Sequence, residues 1–249
     1  MPSPIDPVID RLGAILAAAQ AEQSRIGYFA ALYRRVTIAV RDGIAEFSDP
    51  ARMERFDVLF ASRYLDALSA RQAGGQPTRS WQAAFAATQD PQPIVLQHLL
   101  LGINAHINLD LGIAAAQVAP GDQLPGLKPD FLRINALLAS LVPAVMAELA
   151  AVSPLLGLLE QVVGEHDDDK IANFSLSTSR DWAWHVATLL APLDPPAQAP
   201  VIATLDKLVS GFARHLWHPD PILRAVYKLI RDQESDSPAQ VIAVLEREG

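Results

Sequence analysis

Cysteine is absent from the 249 residues, which excludes disulfides, thiolate metal sites and cysteine nucleophiles. Charge is scarce: 19% of residues are Asp, Glu, Lys or Arg, against 50% hydrophobic. A disordered chain would show the opposite balance. Basic clusters are missing too. The net charge is −8, and Arg34-Arg35 is the only adjacent basic pair, so a phosphate backbone is a poor partner and no nucleic-acid binding is expected. The N-terminal stretch has acidic residues where a secretory signal needs basic ones. The sequence contains no Gly-x-Gly-x-x-Gly, no Walker loop, no Gly-x-Ser-x-Gly and no His-Glu-x-x-His. Phosphate-cradling and common esterase chemistries therefore have no support. No window alternates apolar and polar residues with β-branched enrichment, so no sheet is expected.

What is present is helical periodicity. Apolar residues recur three and four apart over residues 5–20, 25–47 and 51–70, with Ser48-Asp49-Pro50 as a stop and restart. A loop at 73–77 leads to a short helix over 78–88. Then comes the most apolar stretch, PIVLQHLLLGINAHINLDLGIAAAQVA, predicted as a helix over about 93–118. Further helices are expected at about 129–151 (with Pro143 inside), 154–163, 176–190 (capped by Ser175 or Ser177), 197–216, 219–232 and 237–247. The fold class predicted is all-α: a single-domain irregular multi-helix bundle over 1–249 around a buried central helix. That helix is interrupted by His98, His106 and Asp110, which makes it a poor membrane span. With no leader and no span expected, the chain reads as cytoplasmic.

A helix apolar nearly all round is buried, and its polar side chains must then be satisfied internally. At roughly 100° per residue, His106 and Asp110 fall on one face, Asn104 and Asn108 on nearly the opposite one, and His98 between them. Two readings stand. In the first, His106 and Asp110 act together as ligands or as base and orienter. The spacing recurs in Asp181 and His185, and two facing pairs would hold a divalent ion such as zinc, iron or manganese. In the second, these are core polar residues bonded to each other and to the backbone, with the Asn pair tying neighbouring helices. Arg63 and Tyr64 lie near an apolar stripe; Arg63 either pairs with Asp110 or Asp181 or snorkels at the helix edge. Trp81, Trp182 and Trp184 read as core packing, His215 and His218 as helix-end groups, and the run His166-Asp167-Asp168-Asp169 as a solvated loop without the pattern of a calcium site.

The stretches RFDVLFASRYLDAL (55–68), RSWQAAF (79–85), VLQHLLLGINAHINLDLGIA (95–114), DFLRIN (130–135) and RDWAW (180–184) resemble DUF5995, a bacterial family without an assigned activity. The resemblance implies an α-helical domain with a shared polar cluster and no reaction. From the residues, the leading expectation is an enzyme acting on a small, largely apolar molecule. Its catalytic candidates are His106, Asp110, His98 and Arg63. Asn104, Asn108, Tyr64 and Trp184 are candidates for substrate contact, and His106, Asp110, Asp181 and His185 for metal binding. The chemistry would be metal-dependent hydrolysis or oxidation, or metal-free acid–base cyclisation or isomerisation. The alternative is a non-catalytic helical binding or scaffold protein with a structural polar core.

Overall fold

A computed structural model describes residues 3–157, 159 and 176–247. Among the described residues every regular element is helical: α1 (Asp6–Ala21), α2 (Ile26–Asp42), α3 (Pro50–Gln72), α4 (Arg79–Ala87), α5 (Val95–Val118), α6 (Leu124–Val152), α7 (Leu176–Leu190), α8 (Pro195–Trp217), α9 (Pro221–Arg231) and α10 (Pro238–Leu245). The all-α expectation holds. The acidic run at 165–169, Ser175 and most of the helix expected at 154–163 lie outside the described residues.

Helices α3, α8, α9 and α10 open on side-chain caps. Asp49 accepts from the Arg52 amide at 3.0 Å and places Pro50 in the first turn of α3, where a missing N–H costs nothing. Ser237 and Pro238 do the same for α10. Carboxylates from distant segments hold the starts of α4 and α5 and reinforce that of α3. Asp206 of α8 accepts from the Arg79 and Ser80 amides of α4 at 2.8 and 3.0 Å. Asp130 of α6 takes the Ser48 and Asp49 amides at 2.7 and 3.1 Å. Glu234, beyond α9, takes the Val95 amide that opens α5. Each satisfies orphan donors and lets the helix dipole favour the negative charge.

The central helix α5 is buried as expected. By length and composition it could cross a membrane, yet 83% of its most apolar window is buried inside the fold. Two glycines let neighbours reach its backbone. A Cβ at Gly102 would sit 2.4 Å from the Phe29 ring of α2, and one at Gly112 only 2.6 Å from the Ala183 carbonyl oxygen of α7. Periodicity gives no sign of one feature: His106–Leu111 forms a π turn within α5. Such turns gather at functional sites.

Helix α6 begins at Leu124, five residues before its expected start, because Pro125 falls in the first turn, where proline is tolerated. It also differs in exposure. The segment Gly121–Val152 is apolar and long enough to cross a membrane by composition, and only 6% of its most apolar window is buried. Its ends are tied down. Arg133 pairs with Glu46 at 2.7 Å, and Glu148 pairs with Arg35 of α2 at 2.5 Å.

Candidate functional site

Helices α2, α3, α5 and α6 do not close completely on one another. They leave an apolar cavity of about 250 Å³, lined also by Arg180 of α7. Val142 and Met146 of α6 line it while remaining 40% and 45% exposed, so they stand at its rim. Four polar side chains, Tyr33, Asp57, His106 and Arg180, interrupt the apolar wall.

His106 stands at the start of the π turn and is 2% exposed. Aromatic rings fix its imidazole. Phe60 stacks on it at a centroid distance of 3.6 Å, and Tyr33 meets it edge-on at 4.4 Å. Neither ring nitrogen has a hydrogen-bond partner among the described residues. Asp110 approaches Nδ1 at 3.6 Å, an electrostatic contact rather than a hydrogen bond. Burial pushes the His106 pKa below its usual value; Asp110 pulls the other way, and Arg63 adds to the lowering. At neutral pH the ring is therefore an uncharged base.

Asp110, 1% exposed, is already occupied. Arg63 Nε donates to Oδ1 at 2.7 Å, and the Trp81 indole donates to Oδ2 at 2.8 Å. Arg63 thus reaches the interior and pairs with Asp110, one of the two readings its position allowed.

Sequence reasoning missed Asp57 and Tyr33. Asp57 is 8% exposed, one turn before Phe60 on α3, and its Oδ2 has no hydrogen-bond partner among the described residues. Burial raises its pKa to about 7. The Tyr33 hydroxyl likewise has no hydrogen-bond partner among the described residues, and burial and the nearby Asp57 push its pKa well up. The available signal was Asp57 itself, an acid on the Met53, Phe56, Phe60, Tyr64 stripe, where charge is rarely buried without cause.

Other candidates fall elsewhere. His98 is buried against Tyr28, ring centroids 5.5 Å apart, outside the cavity lining, and burial pushes its pKa down to about 3. Asn104 donates to the Val209 carbonyl at 3.0 Å and accepts from Asn108 at 2.8 Å, so this pair ties α5 to α8. Tyr64 is buried behind Phe29 and Trp81 and does not line the cavity. Trp184 packs on Phe131 at 5.0 Å, away from His106. Trp182 is 39% exposed rather than a core residue, and its indole donates to the Asn108 carbonyl inside the π turn at 2.9 Å. His215 bonds its own helix at the Gly211 carbonyl, 3.0 Å away, and His218 follows as the C-cap residue of α8.

The four-residue metal set does not assemble. Helix α7 packs on α5 through Ala183 and Val186, which turns Asp181 and His185 to solvent while His106 and Asp110 stay buried. His185 Nδ1 instead meets the Asp181 carbonyl at 2.7 Å. No group of three or more His, Cys, Asp or Glu placed to hold a metal occurs among the described residues.

The sequence pattern of DUF5995, described as a family of unknown function, matches residues 5–219. The chain belongs to the DUF5995 family. The match spans every wall of the cavity and stops short of α9 and α10, so Glu234, which caps α5, lies outside the DUF5995 segment. No curated protein and no solved structure matches the chain.

Proposed function

We propose that the cavity binds a small, largely apolar molecule and that His106 and Asp57 exchange protons with it, without a metal. The observation that carries this reading is His106: a neutral imidazole that lines the cavity and whose two nitrogens are both buried and unpartnered among the described residues. Leaving a buried polar group unmade costs about 1–3 kcal/mol. A ligand group that accepts from or donates to the ring recovers that cost.

Two titratable groups on adjacent walls, each displaced from its usual range, are the arrangement acid–base sites use. Here the displacement reverses the customary roles. His106, held neutral, is the base. Asp57, near pH 7, is available as the acid. Phe60 and Tyr33 fix the ring, and Asp110, itself held by Arg63 and Trp81, stabilises the positive charge the ring gains when it takes a proton. The reaction class is proton abstraction and return on a small apolar molecule, as in an isomerisation or cyclisation. The size of the space supports a modest ligand: a cavity of ~150 Å³ accepts benzene, so this one takes roughly ten non-hydrogen atoms.

Small apolar ketones incubated with the chain in heavy water test the proposal. Proton exchange next to the carbonyl is expected to accelerate, and His106→Phe and Asp57→Asn are each expected to abolish the acceleration. Ketones that bind without any accelerated exchange would contradict it. That outcome would favour the second reading, a non-catalytic carrier, which the dominance of apolar side chains in the lining supports.

A further inference from the structure

Arg180 takes no part in the chemistry proposed above, and its position calls for a partner. It is 3% exposed and lines the apolar cavity. Its Nε donates to Asn135 Oδ1, its Nη2 donates to the Phe131 carbonyl at 2.8 Å, and its Cζ lies over the Phe131 ring at 4.6 Å. These contacts fix the guanidinium plane. Nη1 has no hydrogen bond among the described residues.

Arg35, Arg52 and Arg63 each meet a carboxylate, at 2.5, 3.1 and 2.7 Å. Arg180 meets none within ion-pairing distance among the described residues. Asp181, the acid that acts on it, is exposed on the outer face of α7. Asp57 lines the same cavity without pairing with it. A buried cation is ordinarily paired, and a guanidinium held as a planar fork suits a carboxylate.

The shape of the space says what else the partner carries. Lining residues on α5 run from Leu96 to Leu111, which at 1.5 Å per residue is a trough roughly 22 Å long. Arg180 stands at its Leu111 end, where Phe131 and Ile134 of α6 pack. Leu149 of α6 packs with Leu99 and Leu100 at the other end. An elongated apolar trough with one fixed cation at its end matches an unbranched carboxylic acid.

Resting on the reading of the cavity as a ligand site, we propose that its ligand is a medium-chain carboxylate whose head group pairs with Arg180 and whose alkyl chain lies along α5. His106 is five residues from Leu111, about 8 Å along the axis. The carbon presented to it is thus several bonds from the carboxylate, so proton transfer there requires a ligand that carries a second carbonyl beside that carbon.

Calorimetric titration of the full chain with octanoate, octan-1-ol and octan-1-amine tests this. Octanoate is expected to bind at least tenfold more tightly than the alcohol, equivalent to about 1.4 kcal/mol, with the amine weakest. Arg180→Gln is expected to erase that preference while alcohol affinity stays within twofold. Arg180→Lys, which keeps the charge and loses the fork, is expected to retain part of it. Equal affinity for octanoate and octanol in the unmodified chain overturns the proposal, as does an amine preference or a preference that survives Arg180→Gln. Should Arg180→Gln fail to fold, the ligand series on the unmodified chain decides alone. Binding of octanol without a carboxylate preference leaves the cavity reading standing and removes only the Arg180 proposal. Binding of none of the three removes both.

Discussion

Replacing His106 with Phe separates a functional imidazole from a structural one. In a structural polar core, each buried partner is bonded, and truncating one leaves the other unsatisfied at a cost of several kcal/mol. At His106 the geometry says otherwise. Neither nitrogen has a hydrogen-bond partner among the described residues, and Asp110 keeps Arg63 and Trp81 when the ring changes. Phe retains the stack on Phe60 and the edge contact with Tyr33, and the adjoining cavity absorbs its extra volume. The variant therefore removes an unmet desolvation cost of about 1–3 kcal/mol and loses only the 3.6 Å attraction to Asp110. We expect a net gain of about 2 kcal/mol. For a chain of this size that raises Tm by roughly 4–8 °C. Thermal unfolding by circular dichroism, supported by urea titration, measures it. A loss of more than about 1 kcal/mol would refute the reasoning, since it would mean that His106 is bonded within the fold.

Asp57→Asn tests the buried acid. Its folded pKa of about 7 lies above its unfolded value of 3.8, so the native state holds the proton more tightly. That contribution is full below pH 3.8 and is lost as pH rises to 7, up to about 4 kcal/mol. The stability advantage of Asn over Asp is expected to grow across this range in urea titrations and to level off above it; a constant difference would contradict the assignment. His98→Phe probes the opposite slope. The folded His98 value of about 3 is depressed below 6.5, so its stabilisation is present above pH 6.5 and lost as pH falls. The wild type is expected to lose about 1.4 kcal/mol per pH unit through this group below pH 6.5, and the variant to show a correspondingly shallower acid limb. In Gly112→Ala, the new methyl would lie 2.6 Å from a backbone oxygen of α7 that cannot rotate away. A loss of at least about 2 kcal/mol in chemical denaturation is expected, and a neutral result would mean that α7 packs differently.

The parts of the site that share one helix could be read in the sequence. His106 and Asp110 are four apart, and Arg63 lies on the edge of an apolar stripe, close enough to the interior to suggest an acid partner. What depends on the rotation of one helix against another could not be read. Asp181 and His185 repeat the same spacing, but small residues decide which face of α7 meets α5. Ala183 and Val186 fit the notch at Gly112, and the charged pair turns outward. The Asn pair is a converse case, since its tie to α8 follows from burial alone. The π turn leaves no periodic trace, because it alters the register within an already continuous apolar run. Pro125 and Pro129 hid the true start of α6: proline marks a break by itself, but the chain folds into helix across both. The cavity is the least legible feature. It arises from what α2, α3, α5 and α6 fail to fill together, which no single stripe encodes.

The central claim is that His106, a lining residue of the cavity, is a neutral base without a hydrogen-bond partner among the described residues. Nitrogen NMR of the labelled His106 ring tests it most directly, recorded from pH 8 to pH 5 with and without octan-1-ol. The expected result is a ring that titrates below the usual histidine range and whose nitrogen resonances shift when the alcohol fills the cavity. A ring that titrates near pH 6.5, or that is indifferent to a bound alcohol, would contradict the account.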